Sequence, residues 1–328
     1  MYAETALTLL KEDNTRPVCV DVGSAGGVTH RLNAIRSQIR VISIEADPEE
    51  CVRMNASARD GERHINAAVG RENENVVLEL HKKRRTSSCF ETDLTKVSHF
   101  FDAERYSKEG EAPFMTRSLD SICSSEKIDR IDYLKIDVEG LELAVLQGYT
   151  GSLLFAEIEV NFYPFRRNIP LFDEIMGHMR TRGFFLLDLR RNFWSPLRMH
   201  DLRNYGTKGM LIFGDALFAL DPFLEENHII FAEHDSRISY LALLCLYGYP
   251  AEALMFIDVL SEAGLIGAEE ARRLDGIIKK ESSRRRWFLR IHRLLFLVER
   301  WFQLPIAVRS GLSLTKYFQQ DGELGNPY

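Results

Sequence analysis

Residues 20–30 read VDVGSAGGVTH. A short apolar run carrying one acid, Asp21, breaks into a glycine cluster, and helical sequence follows. A strand feeding a helix leaves unpaired N–H groups at the helix start, and glycine lets a ligand approach the backbone there. The dinucleotide fingerprint wants G-x-G-x-x-G. Here Ser24 and Ala25 follow Gly23, with Gly26 and Gly27 behind them, so the second glycine of that pattern is missing. Asp21 would repel a pyrophosphate, yet it can receive the ammonium of an amino-acid moiety, directly or through water. The loop fits an amino-acid-bearing adenosine cofactor better than a dinucleotide.

Working outward, the chain alternates. Residues 3–12 read as a short amphipathic helix and PVCVDVG (17–23) as a buried strand. A helix is expected over 27–37, a strand over RVISIEAD (40–47), and a helix from Pro48, which suits a first helical position. RHINAAVG (63–70) reads as a third strand. This order points to a doubly wound parallel sheet. NVVLELHKK (75–83) reads as an extra edge strand. RIDYLKIDVEG (130–140) and SLLFAEIEVNF (152–162) are core strands, with helices over 140–148 and 170–183. FFLLDLR (184–190) and GMLIFGDALFAL (209–220) close the set. From 223 onward helical periodicity replaces strand signal, with a break at Gly248-Tyr249-Pro250. Two regions are expected, an α/β domain over 1–221 and a helical C-terminal region over 222–328.

Glu45 ends the second strand, where a carboxylate can accept both ribose hydroxyls of an adenosine cofactor. That holds for NAD and S-adenosylmethionine alike. Asp137, Glu139 and Glu142 crowd the carboxyl end of a buried strand, where ligands bind in open α/β sheets. Such acids can orient a hydroxyl, hold a divalent metal or act as general base. The helix macrodipole explains Glu139 and Glu142 well, but not Asp137 on the strand. Glu157, Glu159 and Asn161 recur at period two, so they share one strand face and line either a pocket or an exposed surface.

In order along the chain come VDVGSAGG, ISIEADP, NAAVG, SS at 87–88, RSLDSI and IDYLKIDVEGLELAVLQG. This series resembles the FkbM family of S-adenosylmethionine-dependent methyltransferases over roughly residues 15–220, and the block 134–148 is its most specific element. The resemblance implies a Rossmann-like class I methyltransferase sheet, mostly parallel with one late antiparallel strand, here with an α-helical C-terminal appendage. It implies O-methylation, often of sugar hydroxyls in glycans or glycosylated natural products. Carried over, Asp21, Gly23, Ser24 and Gly26 would line the cofactor loop, Glu45 would hold the ribose, and Asn66 and Ala67 would lie near the adenine edge. Asp137 would face the transferred methyl group. Asp137 or Glu139 is the first expectation for the base, with Glu159 behind them.

Other features bound the reading. The net charge of −6 argues against a nucleic-acid partner. Five cysteines at 19, 51, 89, 123 and 245 have no CxxC spacing, which excludes a disulfide framework or structural zinc site. The N-terminus lacks the pattern of a signal peptide, and the longest apolar run, Tyr240 to Tyr247, is short of a membrane span. A cytoplasmic location is expected. The histidines show no ligand spacing and no metal site is assigned. HKKRR (81–85) reads as a solvated loop, or as a contact for an anionic substrate. Residues 284–302 read as a basic amphipathic helix suited to an anionic membrane, a homodimer contact or the enzyme core. The acceptor pocket is expected in loops 84–118 and 162–170. Two rivals remain, an NAD-dependent reductase and a non-catalytic methyltransferase-fold scaffold.

Overall fold

The computed structural model describes residues 2–24, 30–100, 102–196 and 209–280. Among them run ten strands: β1 (Val18–Val22), β2 (Arg40–Glu45), β3 (Glu62–Asn66), β4 (Ala68–Val69), β5 (Asn75–His81), β6 (Lys108–Arg117), β7 (Ile131–Ile136), β8 (Leu153–Asn161), β9 (Phe184–Trp194) and β10 (Met210–Leu220). The helices are α1 (Ala3–Glu12), α2 (Pro48–Ala56), α3 (Leu94–Val97), α4 (Leu119–Glu126), α5 (Glu142–Gln147), α6 (Phe172–Thr181), α7 (His228–Phe231), α8 (His234–Tyr247) and α9 (Pro250–Glu262), with 268–280 also helical.

Seven strands form one sheet in the order β3-β2-β1-β7-β8-β10-β9. The first five run parallel, and β10 enters antiparallel between β8 and β9. The central strands are buried along nearly their whole length because both faces are covered, and most of the few charged residues they carry lie toward the site. Local chemistry agrees with the elements. Asp47 caps α2 by accepting the N–H groups of Glu49 (2.9 Å) and Glu50 (3.2 Å), with Pro48 at the first helical position. Ser118 caps α4 through the Ser121 N–H at 3.2 Å.

Helix α8 is buried from Ser236 through Tyr247. It packs against α1, β7 and β8, and its side chains belong to the same hydrophobic core as the sheet. The apolar run Tyr240 to Tyr247 is therefore a core helix; no helix among the described residues is long and apolar enough to cross a membrane. A buried carboxylate ties α8 to the sheet. Glu157 Oε2 accepts the hydroxyls of Tyr133 (2.9 Å) and Tyr247 (2.6 Å), and those two hydroxyls lie 2.8 Å apart. The Arg31 guanidinium stands 4.7 Å over the Tyr247 ring.

Three expectations need correction. The helix expected over 27–37 is replaced, over its described part, by 3-10 turns at His30–Ala34 and Arg36–Gln38. The strand expected over 63–70 divides: β3 joins the large sheet, while β4 joins a second sheet of order β4-β6-β5. β5 is an edge strand, as expected, and the edge is that of this second sheet. The segment 84–118, expected as loop, contains β6, whose Gly, Pro and Glu residues hide a strand from any propensity argument. Pairing with β5 makes it a strand. β4 pairs only with Thr116 and Arg117, so Pro113 lies where the second side of the ladder is open and its missing N–H costs nothing. The basic helix over 284–302 and Gly26 lie outside the described residues.

Candidate active site

Strand register builds the site. Asp21 on β1 lies opposite Lys135 on β7, and Lys135 lies opposite Glu157 on β8. Glu159, two residues on, lies opposite Asp215 on β10. Alternate residues share a face, so Asp21, Lys135, Asp137, Glu157 and Glu159 project to one side near the strand carboxyl ends.

Gly23 is where β1 and β7 come closest. Its φ is +83°, and a Cβ there would stand 2.0 Å from the Asp137 carbonyl oxygen. Only glycine lets the β1 end pass that carbonyl in a left-handed conformation. Its N–H donates to the Ile44 carbonyl (3.0 Å), and the Asp137 N–H donates to the Val22 carbonyl (3.1 Å). Two buried polar atoms beside this turn, Asp21 Oδ1 and Ser24 Oγ, have no hydrogen-bond partner among the described residues. Burial pushes the Asp21 carboxyl up to about 7; Lys135 opposes this, and Asp137, Glu157 and Glu45 add to it.

A cavity of about 450 Å³ opens from this turn. Its lining includes Gly23, Glu45, Ala46 and Ala67 together with Asp137, Glu139 and Glu159. Glu45 accepts the Asp47 N–H at 2.9 Å, and burial raises its carboxyl above the ordinary value. Of the residues expected to hold the cofactor, Asp21, Ser24 and Asn66 are not among those that line the cavity; Asp21 and Ser24 are buried beside the Gly23 turn. The Asn66 amide donates to the carbonyls of Glu45 (2.9 Å) and Ala46 (3.0 Å), which fixes the strand end that carries Glu45.

Three of the lining residues bring their carboxylates together. One oxygen each from Asp137, Glu139 and Glu159 lie within 4.8 Å of one another. Two of the three have a cation. Lys135 Nζ donates to Asp137 at 3.1 Å, and Arg166 Nη2 donates to Glu139 at 2.6 Å. Burial alone would lower the Lys135 ammonium, but Asp137, Asp21 and Glu157 outweigh it and hold the group above its ordinary value. Arg166 is buried at 1% exposure and also donates to the carbonyls of Glu139 (3.1 Å) and Thr86 (3.0 Å). Glu159 has no cation or hydrogen-bond partner among the described residues. Burial raises its carboxyl well above the ordinary value, and Glu139, Asp137, Glu142 and Asp215 push the same way.

Glu142 serves the turn rather than the cavity. Its carboxylate accepts the N–H groups of Val138 (3.1 Å) and Gly140 (3.0 Å), and burial pushes it up to about 7. Glu139, whose φ is +56°, turns to Arg166. The macrodipole therefore does not account for Glu139.

Sequence reasoning missed Lys135 and Arg166. Lys135 carried a signal: an ammonium inside a buried strand is costly unless paired, and residue 137 shares its face. Arg166 carried none beyond its place in the 162–170 loop.

The strand order with one antiparallel late strand, and a cavity across the carboxyl ends of β1, β2, β7 and β8, define a Rossmann-like class I methyltransferase fold. The family model described as "Methyltransferase FkbM domain" matches residues 21–186, about half of the chain, and the chain belongs to that family. It is similar to the 2-O-methyltransferase NoeI of Sinorhizobium fredii, 26% identical over 145 residues, which make up 42% of this chain and 59% of NoeI. The match thus spans less than two thirds of that relative. Among solved structures it is similar to M. jannaschii TYW2 in complex with AdoMet, at 14% identity and TM-score 0.29 over 66% of this chain and 75% of that one. It is also similar to the Burkholderia thailandensis 1,6-didemethyltoxoflavin-N1-methyltransferase, at 12% identity and TM-score 0.28 over 67% and 78%.

Proposed function

We propose that this protein is an S-adenosylmethionine-dependent O-methyltransferase acting on a sugar hydroxyl in a glycan or glycosylated metabolite. The observation that carries the reading is the single cavity lined by Gly23 and Glu45 together with the three carboxylates. The residues fit the cofactor. Asp21 Oδ1 and Ser24 Oγ are buried and, among the described residues, unpartnered, as groups awaiting an ammonium and a polar neighbour would be. Glu45 suits the ribose hydroxyls. When bound, S-adenosylmethionine supplies an electrophilic methyl group, so the protein has chiefly to align a hydroxyl and take its proton.

Asp137 and Glu139 are each held by a cation, which fixes their direction. They orient the acceptor hydroxyl. Glu159 has no such partner and a raised proton affinity, so it takes the hydroxyl proton as the oxygen forms its new bond to carbon. Sequence alone puts Asp137 or Glu139 first for this role; the two ion pairs favour Glu159. The buried thiols Cys19, Cys51, Cys123 and Cys245 are unbridged, consistent with work in the reducing cytoplasm.

Calorimetric titration with S-adenosylmethionine, S-adenosylhomocysteine and NAD tests the reading. Micromolar binding of the first two, weakened about tenfold or more in Glu45→Ala, is expected from loss of a charge-assisted ribose contact. A folded protein that binds neither, or that prefers NAD, refutes it.

A further inference from the structure

The basic stretch 81–85 has no part in the chemistry above, and sequence alone leaves it either a solvated loop or a contact for an anionic substrate. The fold holds it rigidly. The Thr86 carbonyl accepts Arg166 Nη2 at 3.0 Å and lies 2.6 Å from His81 Nδ1. The Thr86 hydroxyl lies within hydrogen-bonding reach of the carbonyls of Lys83 (2.9 Å) and Arg105 (3.3 Å). The Ser88 hydroxyl donates to the Glu139 carbonyl at 2.5 Å. His81, Thr86 and Ser88 are all buried. The turn that carries Lys83, Arg84 and Arg85 is thereby pinned to the Glu139–Arg166 pair.

Lys83, Arg84, Arg85 and Arg105 are all among the residues that line the cavity shared with the three carboxylates. They are poorly neutralised. Arg84 reaches exposed Glu109 at 3.5 Å and Arg105 reaches Asp102 at 3.7 Å. Arg105 Nε is buried with no hydrogen-bond partner among the described residues. Among the described residues, no carboxylate pairs with Lys83 or Arg85. Lys83 and Arg85, without an acidic partner among the described residues, and the loosely paired Arg84 and Arg105 lie on one wall, where an added anion would relieve their mutual repulsion. Guanidinium forks suit phosphate, sulfate and carboxylate oxygens. The anchoring to Glu139 and Arg166 sets this wall by the seat of the acceptor hydroxyl. The cofactor's own carboxylate travels with its ammonium, at the Asp21 turn.

We propose that the acceptor is an anionic saccharide, its hydroxyl seated at Asp137, Glu139 and Glu159 and its phosphate, sulfate or carboxylate held by Lys83, Arg84, Arg85 and Arg105. This rests on the O-methyltransferase reading and names its substrate class. The test loads the full chain with S-adenosylhomocysteine and titrates in glucose, glucose 6-phosphate, glucose 6-sulfate and glucuronate at low and high salt. At least one anionic sugar is expected to bind about tenfold or more tighter than glucose, with the advantage shrinking in salt. The anion that wins identifies the source of the charge. The double variant Lys83→Gln/Arg85→Gln, both exposed positions, is expected to erase the advantage while S-adenosylhomocysteine binds as before. Glucose binding as well as its anionic analogues, or no anionic sugar binding at all, overturns the proposal. So does a variant that keeps the preference, or one that loses S-adenosylhomocysteine instead, since the cations then serve the cofactor. Wild-type binding of S-adenosylhomocysteine leaves the methyltransferase reading intact in each of these cases; its absence fells that reading separately.

Discussion

Replacing Asp21 by asparagine should make the protein more stable and a poorer cofactor binder at once. Asp21 is 5% exposed, and its carboxyl moves from the ordinary 3.8 to about 7 on folding. The folded state holds this proton more tightly than the unfolded chain does. The stability tied to it is full below the unfolded value and is lost as pH rises through the folded value. Once ionised, the buried carboxylate costs the fold on the order of 4 kcal/mol. A neutral isostere escapes that cost, so the advantage of Asp21→Asn should grow from about 2 kcal/mol near pH 5.5 to about 4 kcal/mol near pH 8.5. Urea unfolding at the two pH values reads this directly. The same carboxylate is the proposed partner of the cofactor ammonium, whose arrival would drive its proton off near neutral pH. Calorimetry in buffers of different ionisation heat should detect proton release when wild type binds S-adenosylmethionine, and less in the variant. Equal stability of the two proteins at high pH would refute the electrostatic argument. Undiminished cofactor affinity in the variant would remove Asp21 from the binding site.

Glu159→Gln should lower turnover by about 10²–10⁴ with cofactor affinity kept, the range for loss of a general base. Because the Glu159 proton affinity is raised on folding, the variant should also gain stability as pH rises; single-turnover assays and melts at several pH values check both, and retained turnover would pass the role back to Asp137 or Glu139. Arg166→Met should cost about 3–5 kcal/mol by stranding Glu139 and two carbonyls beside it. Arg166→Lys should restore the charge but not the three-point contact, so its denaturation midpoint should fall between the other two.

The strands that carry the cofactor end could be read directly. PVCVDVG, RVISIEAD and RIDYLKIDVEG are apolar runs that end in glycine or acid, and the physics of a buried parallel strand needs little else. The cavity edge places Gly23, Glu45, Ala67, Asp137, Glu139 and Glu159 together, all of them singled out from sequence. Other parts could not be read. β6 has weak strand propensity and exists because β5 pairs with it. Glu157 and Glu159 share a face in the sequence pattern, but only the packing of α8 separates them. It gives Glu157 two tyrosine hydroxyls and leaves Glu159 to the cavity.

The sequence by itself determined the alternation of strand and helix, the glycine at the β1 turn and the acids at the strand ends. Each follows from local chemistry: side-chain period, backbone freedom and the place of ligands in α/β sheets. Only the tertiary structure decided which of the clustered acids are held by a cation and which is not. Lys135 meets Asp137 within one strand, but Arg166 reaches Glu139 from 27 residues away, and Thr86 joins that pair from 80 residues away. A carboxylate's proton affinity depends on the charges within a few ångströms and on burial. Those are properties of the assembled fold.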